Sequence, residues 1–535
     1  MLMTSAIALS AGMTAMTAYA EDVPTYSITM NTTENHTYTA YQVFKGDLNE
    51  TGAGASKTKT LSNIDWGTGV DSAALITALK ADTTYGTAFT AAIGSKTGNK
   101  AAEAVAKKIA EYKDNPTAVK AIAKIIGAHL KGSGTATTTE VEAGYYLIKD
   151  TTANTAMPQG NTYSEFILEV VSDVTVSAKD ETVTSDKKVT DVNDSKGDSQ
   201  NNQTSADYDI GDDIPYVLTF TLPGKYDEYS KYPITFTDEM CKGLEFNGDA
   251  KIYYGASDTT GTSISFTASD ITTSGAYNGG KKYTYSIDDL KTAKPGLTAG
   301  TVIKIEYTAK LTSNAVIGSA GNPNKYNVTF ANDPTWKPDD DSTTPDNPPT
   351  GNTPPSENKV YTYQVVINKT DGKNPLKGAD FDLYKFIKNE SGTDTYEGTK
   401  GTWTLITALG SGTNKPTKSE VTNDTTTFTF KGLDDGYYKL RETKTPTGYN
   451  SIDDYIFEIK ATANGTVEDV TGDPISLAAT PADGKLEGNV VNNAGATLPG
   501  TGGIGTALFY TAGTLLIAGG ATLLITKKRM NVKEK

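Results

Sequence analysis

Residues 363–369 read Tyr363-Gln364-Val365-Val366-Ile367-Asn368-Lys369. Apolar side chains at every second position (Tyr363, Val365, Ile367) predict a strand with one face in a core, because successive side chains on a strand point to opposite faces. Lys369 continues that alternation, so the pattern sends a lysine inward. Downstream, Gly436-Tyr437-Tyr438-Lys439-Leu440-Arg441-Glu442 places Glu442 in phase with Tyr438 and Leu440, and Val490-Val491-Asn492-Asn493 places Asn492 in phase with Val490. Gly-rich turns at Gly410-Ser411-Gly412 and Asp435-Gly436 separate such segments. Residues 359–495 are therefore expected to form a β-sandwich.

Working outward, residues 179–334 carry the same alternation in Val217–Leu222, Ile234–Thr237, Tyr283–Ile287 and Val302–Tyr307, which predicts a second sandwich. Between the two, residues 335–358 turn to Pro, Asp, Thr and Asn and predict a stiff extended linker without a core. Residues 21–178 open and close with strand patterns but turn helical between them. Val119, Ile122, Ala123, Ile126 and Leu130 follow helical spacing after Asn115-Pro116, Ala101–Tyr112 is a second such segment and Ser72–Lys80 a third. The expected fold is mainly β: tandem sandwiches, the first with a helical insertion.

Composition restricts the function. Acidic residues outnumber basic ones by 64 to 49, for a net charge of −15, which argues against a nucleic-acid binder. One cysteine, Cys241, and two histidines, His36 and His129, exclude a disulfide framework and leave no Cys/His metal centre. No metal or cofactor is expected. Cys241 reads as a small buried residue and His129 as structural or exposed.

The two ends indicate location. Residues 1–20 are uncharged and apolar and end in Ala18-Tyr19-Ala20, like the core and cleavage site of a secretory signal. The basic leader of such a signal is missing, which suggests a translation start further upstream. Residues 504–526 form an uncharged apolar span long enough to cross a bilayer of about 30 Å. Lys527, Lys528 and Arg529 follow it, on the cytoplasmic side by the positive-inside rule.

Immediately before that span stands Leu498-Pro499-Gly500-Thr501-Gly502. The order of pentapeptide, apolar helix and basic tail in residues 496–535 resembles the cell-wall sorting signal of Gram-positive surface proteins. The resemblance implies sortase cleavage between Thr501 and Gly502, with the enzyme's cysteine held as a thioester on Thr501. Pro499 favours an extended approach, and Gly502 leaves the departing side uncrowded.

The lines quoted first, together with Leu376-Lys377-Gly378-Ala379-Asp380-Phe381-Asp382-Leu383-Tyr384 and Glu442-Thr443, resemble the collagen-adhesin B-type domain of Gram-positive pilins. In that family a first-strand lysine and a last-strand asparagine form an intramolecular isopeptide bond, assisted by a glutamate. The resemblance gives these roles to Lys369, Asn492 and Glu442. Strand phase agrees, since each is in register with core residues. A buried lysine tends to lose its charge and become a nucleophile. A neighbouring carboxyl can polarise the carboxamide and move protons while ammonia leaves.

A weaker set lies in the middle block. Asp186-Lys187-Lys188-Val189 opens it and Tyr326–Pro334 closes it. Phase puts Lys187 with Val189, Asp238 with Ile234 and Phe236, and Asn332 with Tyr326, Val328 and Phe330. The expected trio is Lys187 (over its neighbour Lys188), Asp238 and Asn332. Between the first two blocks, Val174-Thr175-Val176-Ser177-Ala178-Lys179-Asp180 stands where backbone pilins carry their sortase acceptor motif, and is similar to it in part. Lys179 is the expected acceptor.

The whole-chain resemblance is to a major pilin of a sortase-assembled pilus. It implies a structural subunit, not a turnover enzyme, joined through Thr501 to Lys179 of the next copy. Its implied partners are a pilin-specific and a housekeeping sortase, further copies of itself, a peptidoglycan precursor, minor pilins and host matrix. The alternative is a monomeric wall-anchored adhesin or minor pilin, which has no need of Lys179.

Overall fold

The computed structural model describes residues 23–31, 35–52, 57–177, 181–271, 277, 279–337, 347–495 and 504–531. The fold is mainly β, with multiple sheets and a C-terminal apolar helix. The signal-like residues 1–20, Lys179 and the pentapeptide Leu498, Pro499, Gly500, Thr501 and Gly502 lie outside the described residues.

The N-terminal part is built on a five-stranded sheet whose main strands are Thr58–Trp66, Tyr38–Thr51, Gly144–Asp150 and Glu165–Val170, in that order. Four helices cover one face: α1 (Ser72–Ala81), α2 (Gly86–Ile93), α3 (Gly98–Glu111) and α4 (Pro116–Gly127). Their apolar stripes (Leu75, Leu79, Phe89, Val105, Ile122, Ile126) pack against Val43, Phe44 and Leu147 of the sheet. Asp71 caps α1 by accepting from the amides of Ala73 and Ala74, and Asn115 caps α4 with Pro116 in the first turn. Helix α2 has no clear signal in the sequence. It is short, opens on Gly86 and carries Thr87 and Thr90, residues of low helix propensity, and packing around Phe89 and Ile93 holds it. Two short strand pairs close the opposite face around Ile28, Tyr38, Tyr146 and Ile148.

The middle part is a sandwich of two seven-stranded sheets. One contains Ser185–Asn193, Asp213–Thr221 and Val302–Leu311, and the other contains Ile234–Met240 and Asn322–Ala331. Tyr216, Leu218, Phe220, Phe236, Ile305, Val328 and Phe330 fill the space between them. The C-terminal part pairs two five-stranded sheets. Its first strand, Tyr363–Thr370, lies parallel to its last, Lys485–Val491, with Lys369 opposite Val490.

The segment expected to be a coreless linker differs in its second half. Thr350–Asn352 and Ser356–Tyr361 are strands on the edge of Asn322–Ala331, and Val360 is fully buried. Pro354 and Pro355 fall between the two strands, where no ladder amide is required. A single residue, Thr362, separates this middle-sheet strand from the first strand of the C-terminal sheet.

The C-terminal helix runs Ile504–Asn531, and its membrane-compatible window is Phe509–Arg529. The window extends further into the basic end than residues 504–526.

Candidate functional site

The C-terminal trio meets where the first and last strands run side by side. Lys369 is fully buried, and its Nζ donates to the carbonyls of Thr370 at 3.0 Å and Val490 at 3.2 Å. The backbone N–H of Asn492 donates to the same Thr370 carbonyl at 3.1 Å, so the amine and the asparagine share one acceptor. On the other side, Asn492 Nδ2 donates to Glu442 Oε1 at 2.8 Å and Oε2 at 3.1 Å. Thr445 Oγ1 and the Ile452 amide also donate to Glu442 and fix its orientation.

Two features bear on reactivity. Burial lowers the proton affinity of Lys369, and Glu442 opposes this only in part. Asn492 Oδ1 is buried without a partner. Turning the carboxamide by 180° would present that oxygen to Glu442, so a carboxyl proton could polarise the carbonyl carbon that the amine must attack.

In the middle part the structure brings Lys187 and Asp238 together and leaves Asn332 elsewhere. Lys187 is fully buried and donates from Nζ to Asp238 Oδ2 at 2.5 Å and to Tyr307 Oη at 2.8 Å. Tyr307 donates to Asp238 Oδ2 at 2.7 Å. The amine lies over the ring of Tyr216, 4.7 Å from its centroid. Burial brings its pKa down to about 8 against the opposing pull of Asp238. Lys188 points outward to Asp186 at 3.2 Å.

The asparagine at this site is Asn324, which donates from Nδ2 to Tyr307 Oη at 2.9 Å and leaves Oδ1 buried and unpartnered. Asn324 sits opposite Met240, two residues along from Asp238, on the strand that ends near Asn332. Asn332 lies six residues beyond Tyr326, the partner of Asp238, a separation of roughly 20 Å along a strand. There it donates to Asn154 Oδ1 at 3.1 Å and accepts from the Tyr163 amide, tying the N-terminal part to the middle one. Asn324 and Asn332 are in the same phase of one strand, so alternation alone could not separate them. Register against Asp238 does.

A third fully buried lysine was not singled out from the sequence. Lys385 donates to Asp209 Oδ2 at 2.6 Å and Asp434 Oδ2 at 2.9 Å, bridging the middle and C-terminal sheets. Burial works against its charge, but Asp209 and Asp434 override that effect and hold the proton firmly. Lys385 is thus an ion-pair clamp, unlike Lys187 and Lys369. His129 lies just past α4, and Cys241 is buried and free.

Residues 363–474 match the SpaA prealbumin-like fold domain, and residues 490–532 match the LPXTG cell wall anchor motif. The trypsin-resistant surface T6 protein of Streptococcus pyogenes serotype M6 is 27% identical over 372 residues, covering 60% of this chain and 65% of that protein. Fimbrial subunit type 1 of Actinomyces viscosus is 28% identical over 251 residues, covering 43% and 44% respectively. The chain is a Gram-positive pilin homologue. Its anchor motif is that of a cell-wall-anchored surface protein, and the apolar helix suits a membrane stage before anchoring. The matches span just under two thirds and under half of these two relatives' own lengths. The solved T6 backbone pilin of S. pyogenes aligns over 90% of this chain and 100% of its own, at 19% identity and a TM-score of 0.48.

Proposed function

We propose that this chain is the backbone subunit of a covalent pilus, stiffened by two self-formed isopeptide bonds, Lys369–Asn492 and Lys187–Asn324. The observation that carries the reading is the pair of fully buried lysines, each with lowered proton affinity and each set beside a carboxyl and a carboxamide. In each site the neutral Nζ attacks the asparagine Cγ, a C–N bond forms, and the Cγ–Nδ2 bond breaks. Glu442 or Asp238 carries a proton from the amine to the departing nitrogen, which leaves as ammonia. Tyr307 aligns amine, carboxyl and carboxamide in the middle site by touching all three.

Polymerisation uses residues outside the trios. Sortase cleaves after Thr501, and Lys179 of the next copy takes over the acyl group. The last subunit passes to a peptidoglycan precursor. The anchor motif and the homology to pilus proteins support this route. Co-expression with a cognate pilin sortase should give an SDS-resistant ladder that Lys179→Ala abolishes. A ladder that persists in the variant removes Lys179 from the role, and no ladder from the unaltered chain favours a monomeric adhesin. The two crosslinks are tested by intact mass, with a deficit of about 34 Da expected for two lost ammonia molecules.

A further inference from the structure

We propose that Tyr307 is a catalytic residue of the middle crosslink, handing the departing nitrogen of Asn324 the proton that Asp238 cannot deliver directly. The inference rests on the Lys187–Asn324 bond proposed above and adds the route of its proton.

The two crosslink sites differ in how the acid meets the carboxamide. Glu442 touches Asn492 Nδ2 directly, at 2.8 and 3.1 Å. Asp238 does not touch Asn324. Among the described residues its Oδ2 accepts from the side chains of Lys187 and Tyr307, and its Oδ1 has no partner. Register explains the gap. Asp238 lies opposite Tyr326 and Asn324 opposite Met240, so acid and carboxamide are diagonal neighbours, roughly 7–8 Å apart across the pair of strands. Aspartate is also one methylene shorter than the glutamate of the C-terminal site.

Tyr307 fills the gap from the opposite sheet. Its Oη lies 2.8 Å from Lys187 Nζ, 2.7 Å from Asp238 Oδ2 and 2.9 Å from Asn324 Nδ2. Among the described residues no other side chain hydrogen-bonds to the attacking amine, the acid and the leaving nitrogen together. The Tyr307 ring stacks on Tyr216, with centroids 5.3 Å apart and planes 18° from parallel, and both rings are buried. The stack fixes the hydroxyl, and burial keeps bulk water from taking its place. Burial and then the charge of Asp238 make the hydroxyl hard to ionise, so it enters the reaction as a neutral donor.

At rest the hydrogen bonds run one way: Asn324 Nδ2 donates to Tyr307, and Tyr307 donates to Asp238. When the neutral amine attacks Asn324 Cγ, the new C–N bond leaves Nζ with a surplus proton, which passes to Asp238 Oδ2 at 2.5 Å. Asp238 is now a donor and the run reverses. Asp238 donates to Tyr307, and Tyr307 donates to Nδ2, whose lone pair is no longer delocalised once Cγ is tetrahedral. Tyr307 gives its proton to Nδ2 and takes one from Asp238, the Cγ–Nδ2 bond breaks, and ammonia leaves. Hydroxyl and carboxylate end as they began.

The test is Tyr307→Phe in the full chain, followed from synthesis by intact mass and by mapping the peptide that joins residues 187 and 324. The ring stack survives this change and the proton route does not. The Lys369–Asn492 bond should form as before, while the Lys187–Asn324 bond should form at least about 100-fold more slowly, leaving a deficit of about 17 Da where the unaltered chain reaches about 34 Da. Adding Asp238→Glu to Tyr307→Phe lengthens the acid toward Asn324 and should recover at least about tenfold of the lost rate, which a loss of packing alone would not allow. The proposal is overturned if Tyr307→Phe closes the link within a few-fold of the unaltered rate, or if its slow closure comes with loss of cooperative unfolding of the middle sandwich and the double variant recovers nothing. An unaltered chain without the joined peptide removes the crosslink itself and the relay with it, whereas equal rates in both chains remove the relay alone.

Discussion

Replacing Asn324 by alanine separates two readings of the middle crosslink. The substitution removes the carboxamide beside Tyr307 but leaves Lys187, Asp238 and the core intact. If the bond joins Lys187 to Asn324, it closes a loop of roughly 140 residues, and opening that loop costs about 5 kcal/mol of unfolded-state constraint. For a sandwich of this size each kcal/mol moves the midpoint by about 2–4 °C, so a fall of about 10–20 °C is expected. Intact mass should show the deficit shrinking to about 17 Da, the ammonia lost at Lys369 alone. Asn332→Ala, with its contact to Asn154, should keep the full deficit and lose only a junction hydrogen bond. The reasoning is refuted if Asn332→Ala removes an ammonia equivalent while Asn324→Ala does not, or if the unaltered chain shows no deficit.

Three further outcomes follow from the same sites. Glu442→Gln keeps a hydrogen bond to Asn492 but cannot relay a proton, so the mass deficit should halve and the C-terminal sandwich should melt earlier in calorimetry. In Asn324→Ala the Lys187 amine stays free, with its pKa held at about 8 by burial. The unfolded chain then binds more protons between that value and the ordinary lysine value near 10.4, so stability should climb as pH rises through this window and stay flat below it. Denaturant midpoints across pH 7–11 measure this. Lys385→Met leaves Asp209 and Asp434 buried without a counter-charge and should cost about 3–5 kcal/mol in denaturant titration, with limited proteolysis opening first at the joint between the two sandwiches.

Strand phase alone makes much of this site legible in the sequence. The alternation in 363–369 placed Lys369 inward, and the same rule turned Glu442 and Asn492 toward the core, because a period of two is a local property. It could not choose between Asn324 and Asn332, since register is set by pairing with Asp238 on a strand far away in sequence. Lys385 was illegible for a similar reason: its partners Asp209 and Asp434 converge only when two sandwiches dock. Helices α1, α3 and α4 announced themselves through apolar spacing and caps, whereas α2 depends on tertiary packing. Proline content suggested a coreless 335–358, yet edge strands tolerate prolines between their ladders, and Val360 finds a core position there.

The single residue between the middle and C-terminal sheets has a mechanical consequence. With both crosslinks closed as proposed, a pull along the fibre bypasses the chain from 187 to 324 and from 369 to 492. Between the two crosslinks only the segment from 324 to 369 can pay out, and drawn fully straight it would span about 150 Å. That slack is zipped into the middle sheet along Asn322–Ala331 and Ser356–Tyr361. Such an arrangement would make each subunit a fuse with one extensible stage: the middle sandwich gives up its strands beyond Asn324, Val328 and Phe330 with them, while the two tied loops stay closed.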